Sequence, residues 1–241
     1  MSRAASPDPA GSTVPNFRRP ASSGLPDEAI DDGRGVRVRR AQFGWAGRDA
    51  GDRFSICLER LFEHEGGFNN LKADRGGATN FGISLRFLQG EAAMNPRVRR
   101  LLTDTIDGFA GPVTAETIRR LRADTAAYLY LWCFWVPSRC DELPAGVDGM
   151  VFDQAVNAGR TNGARLLQRA INRTGLASAL AEDGQIGPRT LAAAAAVPFL
   201  DLRAAFRAVV AERYRAIVAA NPSQKKFLEG WLNRAAALGD V

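Results

Sequence analysis

A single histidine, His64, and three cysteines are all the imidazole and thiol metal ligands in this 241-residue sequence. One histidine builds no metal site, and "HEGGF" lacks the second histidine that a helical zinc motif requires. Cys57, Cys133 and Cys140 form an odd, unpatterned set that makes no disulfide framework. Cys57 falls on an apolar helical face and reads as a small core residue. A Cys133–Cys140 bridge stays open, with free thiols the expectation. No metal and no cofactor are expected. Long apolar runs are missing too. The best one, "AAYLYLWCFWV" at 126–136, is too short to cross a bilayer. The opening "MSRAASPDPAGSTVPNFRRPASSG" has no apolar core of the kind a secretory signal needs. The expectation is a protein without a transmembrane segment, made in the cytoplasm without a signal peptide. If its work lies in the periplasm or outside the cell, release or export by another system must bring it there.

Lysine and arginine total 32 against 26 acidic residues, giving a net charge of +6 and a pI near 9.8. An anionic partner suits that balance: nucleic acid, a membrane surface or an acidic cell-wall polymer. No RNA-binding signature or zinc-finger spacing is found, so nucleic acid is not the expected partner. Hydrophobic residues at 46% and charged residues at 24% are ordinary for a globular chain. A monomer is expected.

Composition divides the chain. Residues 1–50, rich in Pro, Gly, Ser, Ala and Arg, read as a disordered extension. Their "RGVRVRR" patch is a solvated charge cluster or a tether to an anionic envelope surface. Residues 51–140 and 141–241 read as two helical lobes, with the joint near "SRCDELPAG". Apolar periodicity predicts helices at 54–65, 84–103, 113–122, 124–135, 145–158, 162–173, 188–196, 200–219 and 223–237. The glycine-rich segment "GGFNNLKADRGGATNFGIS" suits a short hairpin. "DGFAGPVT" and "DGQIGPRT" share the pattern D-G-x-x-G-P-x-T, two well-made helix starts with proline in the first turn.

The stretch "RLFEHEGGFNN" carries the sharpest chemical signal. Phe54, Cys57, Leu58, Leu61 and Phe62 mark one helical face, and Glu65 continues that stripe just before Gly66-Gly67 stops the helix. Burial and the negative end of the helix both favour a protonated carboxyl, the requirement for a general acid near neutral pH. Local pairing with Arg60, Lys72 or a backbone amide is the plainer alternative. Asp74 and Thr79 follow in the glycine-rich loop. Asp74, in polar surroundings, suits an ionised carboxylate, and Thr79 a hydroxyl that orients water. Turn chemistry is the alternative for both. Glycoside hydrolysis needs such an acid and such a carboxylate.

"HEGGFNNLKADRGGATNFGIS" closely resembles the signature of glycoside hydrolase family 108, with its EGG glutamate followed by a D-x-G-G-A-T-N-x-G-I segment. "VFDQAVNAGRTNGARLLQRAI…EDGQIGPRT" resembles the predicted peptidoglycan domain that accompanies it. Phe68 and Phe81 stand where the family often has tyrosine, and Arg75 where it often has proline. The resemblance covers roughly 53–237. It implies a mainly α, lysozyme-like fold with a small β-hairpin beside the catalytic cleft. It also implies an N-acetylmuramidase that cuts the β-1,4 bond between N-acetylmuramic acid and N-acetylglucosamine in peptidoglycan. The family's catalytic acid falls on Glu65, and the phage-type lysozyme set of Glu, Asp and Thr supports Asp74 and Thr79 by looser analogy.

Phe68, Asn80 and Phe81 stand as substrate-binding candidates in the same segment. Trp132 or Trp135 stands as the aromatic that lines the cleft, most of "AYLYLWCFW" being core. In the second lobe, Gln154 and Asn157 offer amides for N-acetyl or hydroxyl groups, with local capping as the alternative. Two rival activities share these residues: a lytic transglycosylase on the same bond, and a catalytically silent wall-binding accessory of secretion or assembly.

Overall fold

The computed structural model describes residues 30–31, 37–38, 50–63 and 77–240. The chain divides after Val136 into two units. Within the stretch expected to be a tail, β1 (Ile30–Asp31) pairs antiparallel with β2 (Arg37–Val38); the rest of residues 1–49 lies outside the described residues.

The unit ending at Val136 is built around α1 (Ala50–Glu63), whose Phe54, Cys57, Leu58 and Leu61 are all buried. Those residues recur every three or four positions, so one face of the helix enters the core and stabilises it. Two strands follow, β3 (Thr79–Asn80) and β4 (Ile83–Ser84), paired antiparallel with Asn80 opposite Ile83. Their connection is Phe81-Gly82, with φ of 51° and 70°. Positive φ at both central residues gives the tight turn whose twist matches a hairpin. Glycine adopts it freely, whereas phenylalanine does so at a cost.

Helices α2 (Leu85–Met94) and α3 (Pro96–Thr105) come next. Sequence periodicity predicts one helix over 84–103; the structure breaks it at Asn95. Proline disfavours helical geometry in the residue before it, and Asn95 is extended at φ −116°, ψ 104°. Its side chain then accepts from the Arg97 N–H at 3.1 Å, capping α3, while Pro96 fills the first turn. A reciprocal Thr114–Thr117 box starts α4 (Ala115–Arg119). Then α5 (Ala123–Tyr130) widens into a π turn over Leu131–Trp135, closed by Val136 N–H donating to Leu131 O at 2.9 Å. Tyr128, Tyr130, Trp132, Phe134 and Trp135 are all buried.

The second unit holds Pro137–Val241. Arg139, in the left-handed region at φ 52°, pairs with Glu142 and donates to Ile186 O at 2.9 Å. That contact, chiefly the hydrogen bond to Glu142, raises its pKa. Helices α6 (Val147–Ala158) and α7 (Arg160–Thr174) approach closely at Gly163, where a Cβ would stand 3.0 Å from Ala155 N. Beyond them lie α8 (Pro188–Ala196), α9 (Phe199–Ala220), a 3-10 turn over Pro222–Phe227 and α10 (Leu228–Ala237). Met150, Val151, Phe152, Leu167, Ala170, Ile171, Leu202, Phe206 and Val210 are at most 1% exposed and form this unit's core. Among the described residues, no helix is long and apolar enough to cross a membrane. The three cysteines are buried and form no disulfide.

The two D-G-x-x-G-P-x-T copies do different jobs. In the second, Gln168 on α7 donates to Asp183 Oδ1 at 2.7 Å and to Gln185 O at 3.0 Å, and accepts from Gly184 N at 2.9 Å. The Gln168 donor, then the Gln185 N–H, hold the Asp183 carboxyl below its ordinary pKa. In the first copy Gln89 Nε2 donates to Val113 O at 2.9 Å, and Thr114 caps the next helix.

Candidate active site

Of the first unit's candidates, Thr79, Asn80 and Phe81 belong to the hairpin, and Trp132 and Trp135 to the π turn. Glu65, Phe68 and Asp74 lie outside the described residues, so the structural account rests on what flanks them. On one side, Phe54 of α1 meets the Trp135 ring edge-on, centroids 5.5 Å apart. Trp135 is 2% exposed. Burial and this contact make it a support for the helix that leads to Glu65, instead of the exposed stacking face the sequence suggests. Trp132, 5% exposed, has the Arg97 guanidinium 4.7 Å over its ring and is likewise packed.

On the other side, the hairpin is pinned at two points. Asn80, 7% exposed, donates from Nδ2 to Ile118 O at 3.0 Å and to Leu121 O at 3.2 Å. Both amide hydrogens are thus spent on carbonyls near the end of α4, which would otherwise lose partners. Asn80 anchors the strand; its donors are not available to a sugar. Tyr130 donates its hydroxyl hydrogen to Phe81 O at 3.1 Å, holding the turn on α5. Tyr130 escaped sequence analysis because it reads as one more core aromatic; a buried tyrosine hydroxyl needing a partner was the available signal. The turn's side chain, Phe81, is half-buried.

Thr79 opens β3, opposite Ser84, and is half-buried. Its Oγ1 donates to Gly77 O at 3.4 Å, a long bond within its own loop. A hydroxyl held this weakly on a strand anchored this firmly can be redirected to a bound water at small cost.

Gln154 and Asn157 lie in the second unit, on α6. Gln154 is fully buried; its Nε2 donates to Asp153 Oδ2 at 2.8 Å and approaches Tyr214 OH at 3.4 Å, while Oε1 has no hydrogen-bond partner. Asn157, half-buried, donates to Asp153 O at 2.7 Å. Arg234 grips the same carboxylate, with Nη2 2.7 Å and Nε 3.0 Å from Asp153 Oδ1. Both amides therefore serve a buried network around Asp153. Desolvation first, and the Asp153 charge second, push the Tyr214 phenol pKa up, so it stays a neutral partner in that network. Among the described residues, no group of three or more His, Cys, Asp or Glu side chains is placed to hold a metal ion.

Residues 58–159 match the family model described as Glycosyl hydrolase 108, and residues 162–236 match the one described as Predicted Peptidoglycan domain. The first match begins in α1, spans the hairpin and runs past Val136 through α6. No curated protein matches the sequence. A solved structure described as that of Brucella abortus SagA shares the fold, with a TM-score of 0.60 and 24% identity over 78% of this chain and 92% of that one. Taken together, the two successive matches give the chain a glycosyl hydrolase 108 region followed by a predicted peptidoglycan domain, and mark it as a peptidoglycan-acting glycoside hydrolase of lysozyme type.

Proposed function

We propose that the protein is an N-acetylmuramidase, cleaving the β-1,4 bond between N-acetylmuramic acid and N-acetylglucosamine. The observation that carries this reading is the 58–159 family match, which spans Glu65, Asp74 and Thr79 together. Glu65 protonates the glycosidic oxygen as the bond breaks. The Asp74 carboxylate stabilises positive charge on the sugar or activates the attacking water. Thr79 orients that water through the hydroxyl on β3. The pinned hairpin supports the assignment, because a group that positions water must itself be held. The enzyme works as a monomer on wall glycan, reached after release or export by another system, and its basic tail tethers it to the anionic envelope.

Purified peptidoglycan tests this directly. Wild type should clear the suspension and release muropeptides with reducing muramic acid ends. Glu65→Gln should clear it about 10²–10⁴-fold more slowly, the usual worth of a general acid. Products ending in an anhydro sugar, with full activity in Asp74→Ala, would instead make the protein a lytic transglycosylase. Equal clearing by wild type and Glu65→Gln would remove Glu65 from its role. Wall binding without any muropeptide release would make it a silent accessory.

A further inference from the structure

The first D-G-x-x-G-P-x-T copy has no evident part in the chemistry, yet it walls a cleft. Phe109, Ala110, Gly111, Pro112 and Val113 face Ala92 and Ala93 of α2 and Arg99 and Thr103 of α3 across an open pocket of about 800 Å³, with Gln89 at its side. The loop is held against α2 by Gln89, which donates from Nε2 to Val113 O at 2.9 Å. Two properties of the lining decide what fits. The walls are mostly small and apolar. Among the described residues, Arg99 is the one ionisable lining side chain, and no carboxylate shares the pocket. Its Nε and Nη2 donate to Ala92 O at 3.2 and 3.0 Å, fixing the guanidinium plane, and Arg99 has no ion-pair partner among the described residues. Nearby, Arg100 pairs with Asp104 and Arg97 lies over Trp132.

We propose that this cleft is a subsite for the peptide stem of peptidoglycan, taking its small alanyl side chains against the Ala, Pro and Phe walls and a stem carboxylate at Arg99. The proposal rests on peptidoglycan being the substrate. A guanidinium held flat with a free edge is the group suited to a planar carboxylate. The volume lies within the range of pockets that bury small ligands. A strand stripped by an amidase keeps only the lactyl carboxylate on the sugar itself, whereas a strand carrying its peptides also offers stem carboxylates with alanyl side chains beside them, the pairing that the apolar walls and Arg99 match. The cleft therefore distinguishes substituted from stripped glycan.

Two variants of the full-length protein test this. Arg99→Gln removes the charge. Gly111→Leu fills the cleft at a position where a Cβ meets no atom within 4 Å, so the fold should tolerate it. The kinetic readout is the ratio of kcat/KM on intact peptidoglycan to that on the same glycan stripped of peptides by an amidase. It should exceed about tenfold in wild type, as one charge-assisted contact allows, and fall toward one in both variants. A ratio unmoved by either variant, or an equal loss on both substrates, overturns the subsite. Calorimetric binding of the free stem pentapeptide supplies a second readout that does not depend on hydrolysis. Wild type should bind it and both variants should bind it about tenfold more weakly. No binding by wild type, or equal binding by all three, overturns the proposal even if the muramidase assignment holds. Conversely, peptide binding that the variants weaken would uphold the subsite even if Glu65 proves not to be the acid.

Discussion

The hydroxyl of Tyr130 and the carbonyl of Phe81, 49 residues apart in sequence, are joined by a 3.1 Å hydrogen bond. It holds a turn whose first central residue, Phe81, sits at φ 51°. A left-handed non-glycine residue costs about 1–2 kcal/mol, and such geometry persists only where its surroundings enforce it. Tyr130 is one such enforcer, and the Asn80 amide is the other.

Removing that hydroxyl should loosen the hairpin without emptying the core. Tyr130→Phe is expected to lower stability by about 1–2 kcal/mol, the cost of an unpaired buried carbonyl. A lower urea midpoint at constant slope would register it. Because Thr79 sits on the same hairpin, kcat should fall more than KM rises. A loss confined to stability would mean that the tether has no part in placing Thr79.

Gln168 gives the second unit a pH-dependent clasp. Its donor, with the Gln185 N–H, lowers the Asp183 pKa, so the folded state favours the ionised carboxyl. That contribution is complete above the ordinary carboxylate range and is lost as pH falls through it toward the depressed folded value. Gln168→Leu should lower the urea midpoint at neutral pH, because it removes the side chain that ties Asp183, Gly184 and Gln185 to α7. It should also flatten the acid limb of a stability–pH curve. An acid limb identical to that of wild type would show that Asp183 is not the group lost.

The Asp153–Arg234 pair is mostly shielded, with side chains 14% and 15% exposed. Arg234→Ala strands a carboxylate among Gln154, Asn157 and Tyr214. It should cost about 3 kcal/mol, since breaking a buried pair exceeds the pair's net worth. Adding Asp153→Asn should recover part of that loss in a double-mutant cycle. Full additivity of the two losses would show that the ion pair contributes nothing.

At Gly146, φ is 87° and a Cβ would stand 2.5 Å from Phe199 Cε2. Gly146→Ala therefore meets both a backbone penalty and a ring. Its thermal midpoint should drop by several degrees, consistent with a loss of about 3 kcal/mol. Phe199→Leu in the same chain should restore only the steric share. Complete rescue would make the backbone term negligible.

Much of the helical architecture was legible because it depends on local spacing. The 3.6-residue period of Phe54, Cys57, Leu58 and Leu61 locates the buried face of α1, and the same reasoning finds α6 through α10 within a few residues. The predicted 84–103 helix failed at Asn95 because the constraint from Pro96 overrides apolar periodicity. Aromatic and amide candidates fared differently. Trp132, Trp135, Asn80 and Gln154 carry the right chemistry for sugar, but their exposure and partners are set by how the helices assemble around them.

By itself the sequence determined the order of helices, the place of the hairpin, the "HEGGF…ADRGGATN" motif and hence the family. Each depends on residues near one another along the chain, where spacing and turn chemistry act directly. Only the tertiary structure decided that Asn80 and Tyr130 anchor the hairpin, that Gln154 is sealed in the Asp153 network, and that one of two look-alike loops walls an open cleft while Gln168 clasps the other. Most of those contacts join residues 15 to 81 positions apart. A hydrogen bond or a buried surface between such residues has no signature in either partner's neighbours; it exists once packing excludes water and each polar group must find its match inside.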